Sequence, residues 1–444
     1  MSLPQADLSL LEADAGQAPL VQQLRGFVSW VGEGPGGGRK LTQTGRVGLG
    51  DARHLVSLLG TGDVLDQEIG GRVFKTKSSE ELSRLTIIVE WAKAARLIRV
   101  TGSKLVPVKK NAALAGRPLD LVIRLVETYP KLGQPLFPRG HYRSSLVGDE
   151  FSDLAPEFLT GLLRVDKSLP LSILSQMATV LAEARYVLSG LTDAQLDHLH
   201  GTIEVDTRIA MSALHEIGVA TLQRNSDEVT KYGSPVWDKG TVELTSLGRY
   251  VIRRLRGMPS AGDPVLTLRV TLAHVESPRV WREITVPAAF TLAQVHQTIQ
   301  AAMGWEDSHL HEFRIGGRSY GMSGMEFMGD APETLDGAKH RLGDLVKACD
   351  TFEYQYDFGD SWEHVVEVAA RGAASPEILY PVCTAGEGAC PPEDCGGTPG
   401  FADLKETMAG PPSTERDELI QWAGEEYDPE QFSLIRVNGR LAGL

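Results

Sequence analysis

The residues with most to offer chemically are crowded into the last third of the chain. Cys383, Cys390 and Cys395 follow one another with six and then four residues between them, in YPVCTAGEGACPPEDCGG. His309 and His311 stand upstream, with Asp357, Asp360 and His364 in between. Thiolate and imidazole together suit zinc, which takes four ligands in a tetrahedron. Three thiols with one imidazole, His311 or else His309, would complete that set. The spacing is not the CxxC of zinc fingers, so unrelated thiols in a proline-stiffened loop, or a redox role, stay open beside the metal.

Asp357, Asp360 and His364 surround the string FGDS, between two aromatic runs, FEYQYDF and WEHVVEVAA. Carboxylates and an imidazole in an aromatic-lined cleft suit general acid-base catalysis or metal-assisted hydrolysis. Asp360, beside Gly359, has the alternative of shaping the turn by bonding its backbone. The DFG string is shared with kinases, but no HRDxxxxN loop precedes it. Glu393 and Asp394 stand just ahead of Gly396, Gly397 and FADLKETM. They are expected to cap that helix, where negative charge favours the N-terminus, with cation binding as the alternative.

The elements that must hold these residues are legible in outline. VLTLRVTLA and VWREITVPA alternate as strands do and are joined through HVESPR, a hairpin. Thr291 is placed to cap the helix LAQVHQTIQAAMG, which stops at Gly304. HLHEFRIGG reads as a third strand, with FEYQYDF and WEHVVEVAA as two more. Hairpin, helix, strand is the opening of a β-grasp-like α+β domain.

Further upstream, Leu82, Leu85, Ile88, Val89, Ala92 and Ala95 recur at helical spacing, and LIRVTGSKLVPV reads as a hairpin turning at Thr101–Ser103. Helix then hairpin is the end of a winged-helix-like unit. The order recurs from Thr207, with NSDEVTKYGSPVWDKG as a long polar wing and SLGRYVIRRLRG as a helix capped at Ser246. Residues 122–161 look less regular. GEGPGGGRK lacks the spacing of a P-loop and reads as a flexible connector. The expectation is a multidomain α+β chain. It has a helical domain at 1–130 with a winged-helix-like end, a second winged-helix-like domain at 131–260, and an α+β domain at 261–444.

The C-terminal motifs fall in one order: SPRVWREITVP, MGWEDSHLHEF, YQYDFGDSWEH, then YPVCTAGEGACPPEDCGG. From about Val265 to Leu444 the chain resembles the Ri-plasmid ORF-3-like family of bacterial proteins, which carry a mobile-element passenger or resolvase-like label. The resemblance implies a compact α+β fold and a functional face, but no established reaction. Neither a serine-nucleophile motif nor the catalytic tyrosine set of a recombinase is visible.

Charge narrows the partners. The formal net charge is −14. From Pro381 to Glu430 there are 12 acidic residues against Lys405 and Arg416, so most of the excess lies in one C-terminal stretch that repels phosphates. In the winged-helix-like units Lys93, Arg96, Lys104 and Arg208 are the candidates to meet DNA phosphates, opposed by Glu90 and Glu216. No apolar run approaches the roughly 18 residues of a membrane span, and the first residues lack a secretory pattern. A cytoplasmic location is expected.

Two functions follow as expectations. One is a plasmid- or mobile-element-associated regulatory protein. It would bind DNA, a protein partner or a second copy through its winged helices, and carry a ligand- or zinc-binding C-terminal domain. The other is a metal-dependent enzyme of hydrolase type, using the C-terminal His/Asp/Cys cluster.

Overall fold

The computed structural model describes residues 5–69, 71–137, 145–165, 167–186, 190–224, 240–322, 334–347, 350–375, 377–424 and 427–444. The chain is mixed α+β and divides into two compact units, residues 4–257 and 258–444. Among the described residues, no helix is long and apolar enough to cross a membrane.

The N-terminal unit is mostly helical. Its helices Pro19–Gly32 and Pro118–Thr128 each begin at a proline, whose missing N–H costs nothing in the first turn. Helix Ser83–Ala94 runs into the strands Ile98–Thr101 and Lys104–Pro107, with the turn where the sequence placed it. The glycine-rich segment expected to be a connector instead ends in a short strand, Arg39–Lys40, which pairs with Lys104–Leu105. Arg39 anchors it by donating Nε to Trp30 O at 2.9 Å and lying 4.3 Å from the Trp30 ring centroid.

The second helix-and-hairpin passage has the same build. Helix Asp193–Glu216 leads to strands Ala220–Gln223 and Thr241–Leu244, and the upstream strand Leu169–Pro170 joins the edge of Thr241–Leu244. The expected wing, 225–239, lies outside the described residues. The following helix, Ser246–Leu255, is capped by Thr245, not Ser246. Thr245 is extended, and its Oγ1 accepts from Gly248 N at 3.0 Å.

Between the two passages, FSDLAPEFLTGLL forms a regular helix, Phe151–Leu163, where irregular chain was expected. Phe151, Leu154, Ala155, Phe158, Leu159 and Leu162 all face the core, a helical spacing that outweighs Pro156 in its middle. Tyr129 is buried and donates its hydroxyl to Ala210 O at 2.7 Å, and Arg84 pairs with Glu216 at 2.7 Å. These contacts join residues 4–257 across position 130.

The C-terminal unit is built on one sheet. Its strands are β1 (Pro264–Glu276), β2 (Arg279–Pro287), β3 (His311–Ile315), β4 (Arg318–Gly321), β5 (Leu335–Asp336), β6 (Thr351–Tyr356), β7 (Trp362–Ala373) and β8 (Val382–Glu387). They lie in the order β5-β4-β3-β6-β7-β1-β2-β8, and every pairing is antiparallel except β4 with β5. Its longer helices are α1 (Leu292–Met303), α2 (Gly397–Ala409), α3 (Thr414–Ala423) and α4 (Leu434–Leu441). Thr291 and Gln294 form a capping box at the start of α1, and Gly304, at φ +100°, ends it. Both were legible in the sequence.

Alternation sorts the sheet's side chains. Phe352, Tyr354 and Tyr356 on β6, with Trp362, His364 and Val366 on β7, point into a core shared with Val270, Ile299 and Phe313. Each large side chain so buried contributes on the order of 2–3 kcal/mol. At the C-terminus Asn438 ties α4 to β8. Its Oδ1 accepts from Cys383 N at 2.8 Å and its Nδ2 donates to Cys383 O at 2.9 Å.

Candidate functional site

Where β6 ends, the backbone of Asp357 turns to φ +53°. Its N–H donates to Leu310 O at 2.9 Å, which brings the chain ahead of β3 alongside the turn. Asp357 Oδ1 accepts from Gly359 N at 2.9 Å, a turn-closing bond that Asp favours beside Gly. That leaves Oδ2 facing His309 Nε2 at 3.7 Å. Asp357 as a whole is 7% exposed.

Two further carboxylates close on the same imidazole from the PPED segment. Asp394 Oδ1 lies 3.1 Å from His309 Nε2, and Glu393 Oε2 lies 3.8 Å from it. Glu393 is held by its other oxygen, which accepts from Glu306 N at 2.9 Å and from the Tyr356 hydroxyl at 3.0 Å. The Tyr356 hydroxyl oxygen in turn accepts from the backbone N–H groups of Ser308 and His309. Burial, then the Glu393 carboxylate, raises the Tyr356 phenol well above its ordinary range, so it stays protonated and donates.

The result is a centre with one oxygen of Asp357 and of Glu393 fixed by backbone or phenol and the second aimed inward. His309 Nε2 and Glu393 Oε2 are both buried without a hydrogen-bond partner. Buried polar atoms left in that state are costly, and two of them facing one point suit a bridging group. His309, Asp357 and Asp394 bring their donor atoms within 4.8 Å of one another. One imidazole with carboxylate oxygens suits a divalent cation such as Mn²⁺.

A second group lies close in sequence. His296 on α1 contacts Asp307 Oδ1 through Nε2 at 2.7 Å and the Tyr354 hydroxyl through Nδ1 at 2.9 Å. Gln300 Nε2 donates to the same hydroxyl at 2.9 Å. His311 stacks on His296 with ring centroids 3.4 Å apart. Burial, and then the neighbouring His296, push the His311 imidazole down to about 4. Both ring nitrogens of His296 are engaged here, and His296, Asp307 and His311 also bring donor atoms within 4.8 Å of one another.

The remaining residues singled out in the sequence are distributed as follows. Asp360 accepts from Gly396 N through Oδ2 at 3.0 Å and so docks the glycine pair. His364 is 1% exposed, with Nδ1 near Tyr354 O and Trp362 O. It packs in the core against Trp305 and Tyr354, and burial pushes it down to about 4.

Cys383 lies on β8, and its thiol contacts Ala385 O at 3.3 Å. Cys383, Cys390 and Cys395 are free thiols, and burial pushes all three up, Cys395 to about 12. Among the described residues, no close group of three metal-donor atoms includes a cysteine. Glu393 and Asp394 do not cap α2, whose cap residue is Gly396 at φ +88° with no side-chain bond. The acidic pair is turned to His309 instead, because Asp394, at φ +55°, reverses the chain ahead of the helix.

In the N-terminal unit Lys93 pairs with Glu90 at 2.8 Å. Arg96 and Lys104 are exposed. Arg208 is half-buried, and burial lowers its ordinary value.

Residues 264–436 match the model of the plasmid pRiA4b ORF-3-like proteins. The uncharacterized protein y4hQ of Sinorhizobium fredii is 37% identical over 187 residues, covering 40% of this chain and 92% of that relative. A crystal structure of a protein of unknown function from Methanosarcina mazei Go1, MM3350, is 32% identical, with a TM-score of 0.36 over 39% of this chain and 96% of the other. The sheet, the YDFGDSW turn and the PPEDCGG segment that build the site all fall inside the matched residues. Through its C-terminal unit, the chain belongs to the plasmid pRiA4b ORF-3-like family.

Proposed function

We propose that the C-terminal unit binds a divalent cation between His309, Asp357, Glu393 and Asp394 and uses it for metal-assisted hydrolysis. The observation that carries this reading is the buried, unpartnered His309 Nε2 with three carboxylate oxygens 3.1–3.8 Å away. A cation at their centre neutralises the mutual repulsion of three carboxylates and lowers the pKa of a bound water toward neutrality. Oxygen-rich ligation favours Mn²⁺ over a thiolate-loving ion.

Titration of the full chain with Mn²⁺, followed by electron paramagnetic resonance, is expected to show one saturable site. Asp357→Asn and His309→Ala each weaken it at least tenfold. Saturation at a hundredfold excess over Kd adds about 2.7 kcal/mol to stability and raises the unfolding temperature. An unchanged Mn²⁺ affinity in both variants would sink the cation reading. Uptake with no Mn²⁺-dependent hydrolysis of any ester would leave a structural ion.

A second reading concerns the N-terminal unit, and a specific observation favours it. Both helix-and-hairpin passages carry a third short strand on the same edge, consistent with a duplicated winged-helix-like module. Around the first, Lys40, Arg96, Arg99, Lys104, Lys109 and Lys110 are all exposed. Lys40 and Lys104 are direct cross-strand partners, a like-charge pairing that is unfavourable until a polyanion lies over it.

This face fits the phosphates of a DNA duplex. Binding to duplex DNA is expected to weaken steeply with salt, and Arg96→Glu/Lys104→Glu should lower both affinity and the slope of log K against log salt by about 2. Absence of binding at low salt would remove DNA as the partner.

A further inference from the structure

Behind the PPED segment lies a cavity of about 370 Å³, lined by Ala389 to Glu393, by Met303 and Gly304 at the end of α1, and by the first turns of α4. Arg282, Arg436 and Arg440 all reach it. Arg282, on β2, is 2% exposed. Its Nε donates to Ala302 O at 3.1 Å, and its Nη1 donates to Trp281 O and Glu387 O at 2.8 and 2.9 Å. Its guanidinium lies 4.9 Å from the centroid of the Phe432 ring. Arg440 donates Nε to Ala301 O at 2.7 Å.

The acceptors of Arg282 and Arg440 are therefore backbone carbonyls. Among the described residues, neither guanidinium has an ion-pair partner. Burial pushes both below their ordinary value, and Arg440 adds to that effect on Arg282. The nearby thiols of Cys383 and Cys390 are held protonated by burial, so they supply no counter-charge.

A buried cation without an ion-pair partner is expensive, and the cavity leaves room for an anion between Arg282 and the exposed Arg440. Two carboxylates line the same space, each with at least one oxygen bonded to a group outside it. Asp428 Oδ1 accepts from Glu430 N at 3.0 Å, and Glu393 has one oxygen on Glu306 N and Tyr356 and the other facing His309. The N-terminus of α4, with Ser433 as its cap, opens on the cavity and adds the partial positive charge of a helix start.

We propose that this cavity binds a phosphate group, and that the substrate of the neighbouring cation centre is a phosphate ester. Guanidinium groups recognise phosphate oxygens through paired N–H donors, which a carbonyl-anchored arginine presents in fixed orientation. Glu393 belongs to both places, facing His309 with Oε2 while its segment lines the cavity. The ester part of the proposal rests on the cation reading, whereas the anion site does not. In the hydrolysis, a water oxygen forms a new bond to phosphorus and the ester P–O bond breaks. The leaving oxygen takes up the proton that the water gives up.

The test is calorimetric titration of the full chain with inorganic phosphate, after dialysis against a chelator and at constant ionic strength. One saturable site is expected, weakened at least tenfold by Arg440→Gln and by Arg282→Met. Asp357→Asn leaves phosphate affinity in the metal-free protein unchanged. No saturable phosphate uptake by the wild-type chain overturns the anion site, whatever Mn²⁺ does. Uptake that persists undiminished in a folded Arg440→Gln or Arg282→Met variant overturns it too, since the phosphate then sits elsewhere. Phosphate uptake without Mn²⁺ binding upholds the anion site and removes the ester as a substrate.

Discussion

Acidification from pH 6.5 to pH 4 is expected to cost the C-terminal unit about 3 kcal/mol through His364 alone. The ring is 1% exposed, and burial pushes its folded-state value down to about 4, against about 6.5 for an unfolded histidine. Above pH 6.5 both states are neutral, and the full stability is present. Between 6.5 and 4 the unfolded chain binds a proton that the folded chain refuses, so stability falls as pH falls. His296 and His311 are shifted in the same direction and steepen the loss.

In a domain of this size the loss corresponds to a drop of roughly 10 °C in unfolding temperature. Scanning calorimetry of the full chain at several pH values reads it directly. His364→Leu removes the titrating ring and is expected to flatten the profile over that window. A wild-type transition that stays put between pH 6.5 and 4 would show that the ring accepts its proton without penalty.

Gly397→Ala is expected to destabilise the C-terminal unit by roughly 2–5 kcal/mol, the combined cost of left-handed backbone and overpacking. Gly397 sits at φ +67°, and a Cβ there would lie 2.5 Å from Asp360 O, a backbone atom with nowhere to go. Its neighbour Gly396 already donates to Asp360 Oδ2. The glycine pair thus clamps the 395–397 segment onto the 357–361 turn, and that clamp brings Glu393 and Asp394 to His309. The substitution should therefore weaken Mn²⁺ uptake as well as folding, whereas Asp360→Asn, which keeps an acceptor oxygen, should cost under about 1 kcal/mol. Denaturant unfolding combined with Mn²⁺ titration separates the two effects. Wild-type values on both axes would show that no clamp exists.

The fold of the C-terminal unit was largely legible. The hairpin, the Thr291 cap, the Gly304 stop and strands β3, β6 and β7 all follow from local pattern. β8 did not, because VCTAGE has neither clean alternation nor a run of β-branched residues, and its pairing with β2 is remote in sequence.

The site was half legible. Asp357 and His309 stood out by type, but Glu393 and Asp394 were drawn to the nearer helix start. Only the positive φ of Asp394 and the fold of the sheet turn them to an imidazole more than eighty residues upstream. His364 attracted notice as an imidazole beside a turn. The period of two along Trp362, His364 and Val366 already placed it with the core. In the N-terminal unit, the helix at Phe151–Leu163 follows directly on the proline- and glycine-rich YPKLGQPLFPRGHYRSS, whose irregularity was extended over it although six apolar positions at helical spacing argued otherwise.

The order of the sheet also governs the timing of its assembly. β1 lies between β2 and β7, yet the 85 residues 277–361 separate the end of β1 from the start of β7. At roughly 5–20 residues per second, a ribosome needs about 5–20 s to supply them. Once Pro287 completes the β1–β2 hairpin, the β1 edge that will meet β7 still has no strand to pair with for the rest of that interval. The middle of the sheet thus closes late, ahead of the β8 edge, and a nascent chain stalled in the YDFGDSW turn would present a long, apolar, unpaired strand edge to its surroundings.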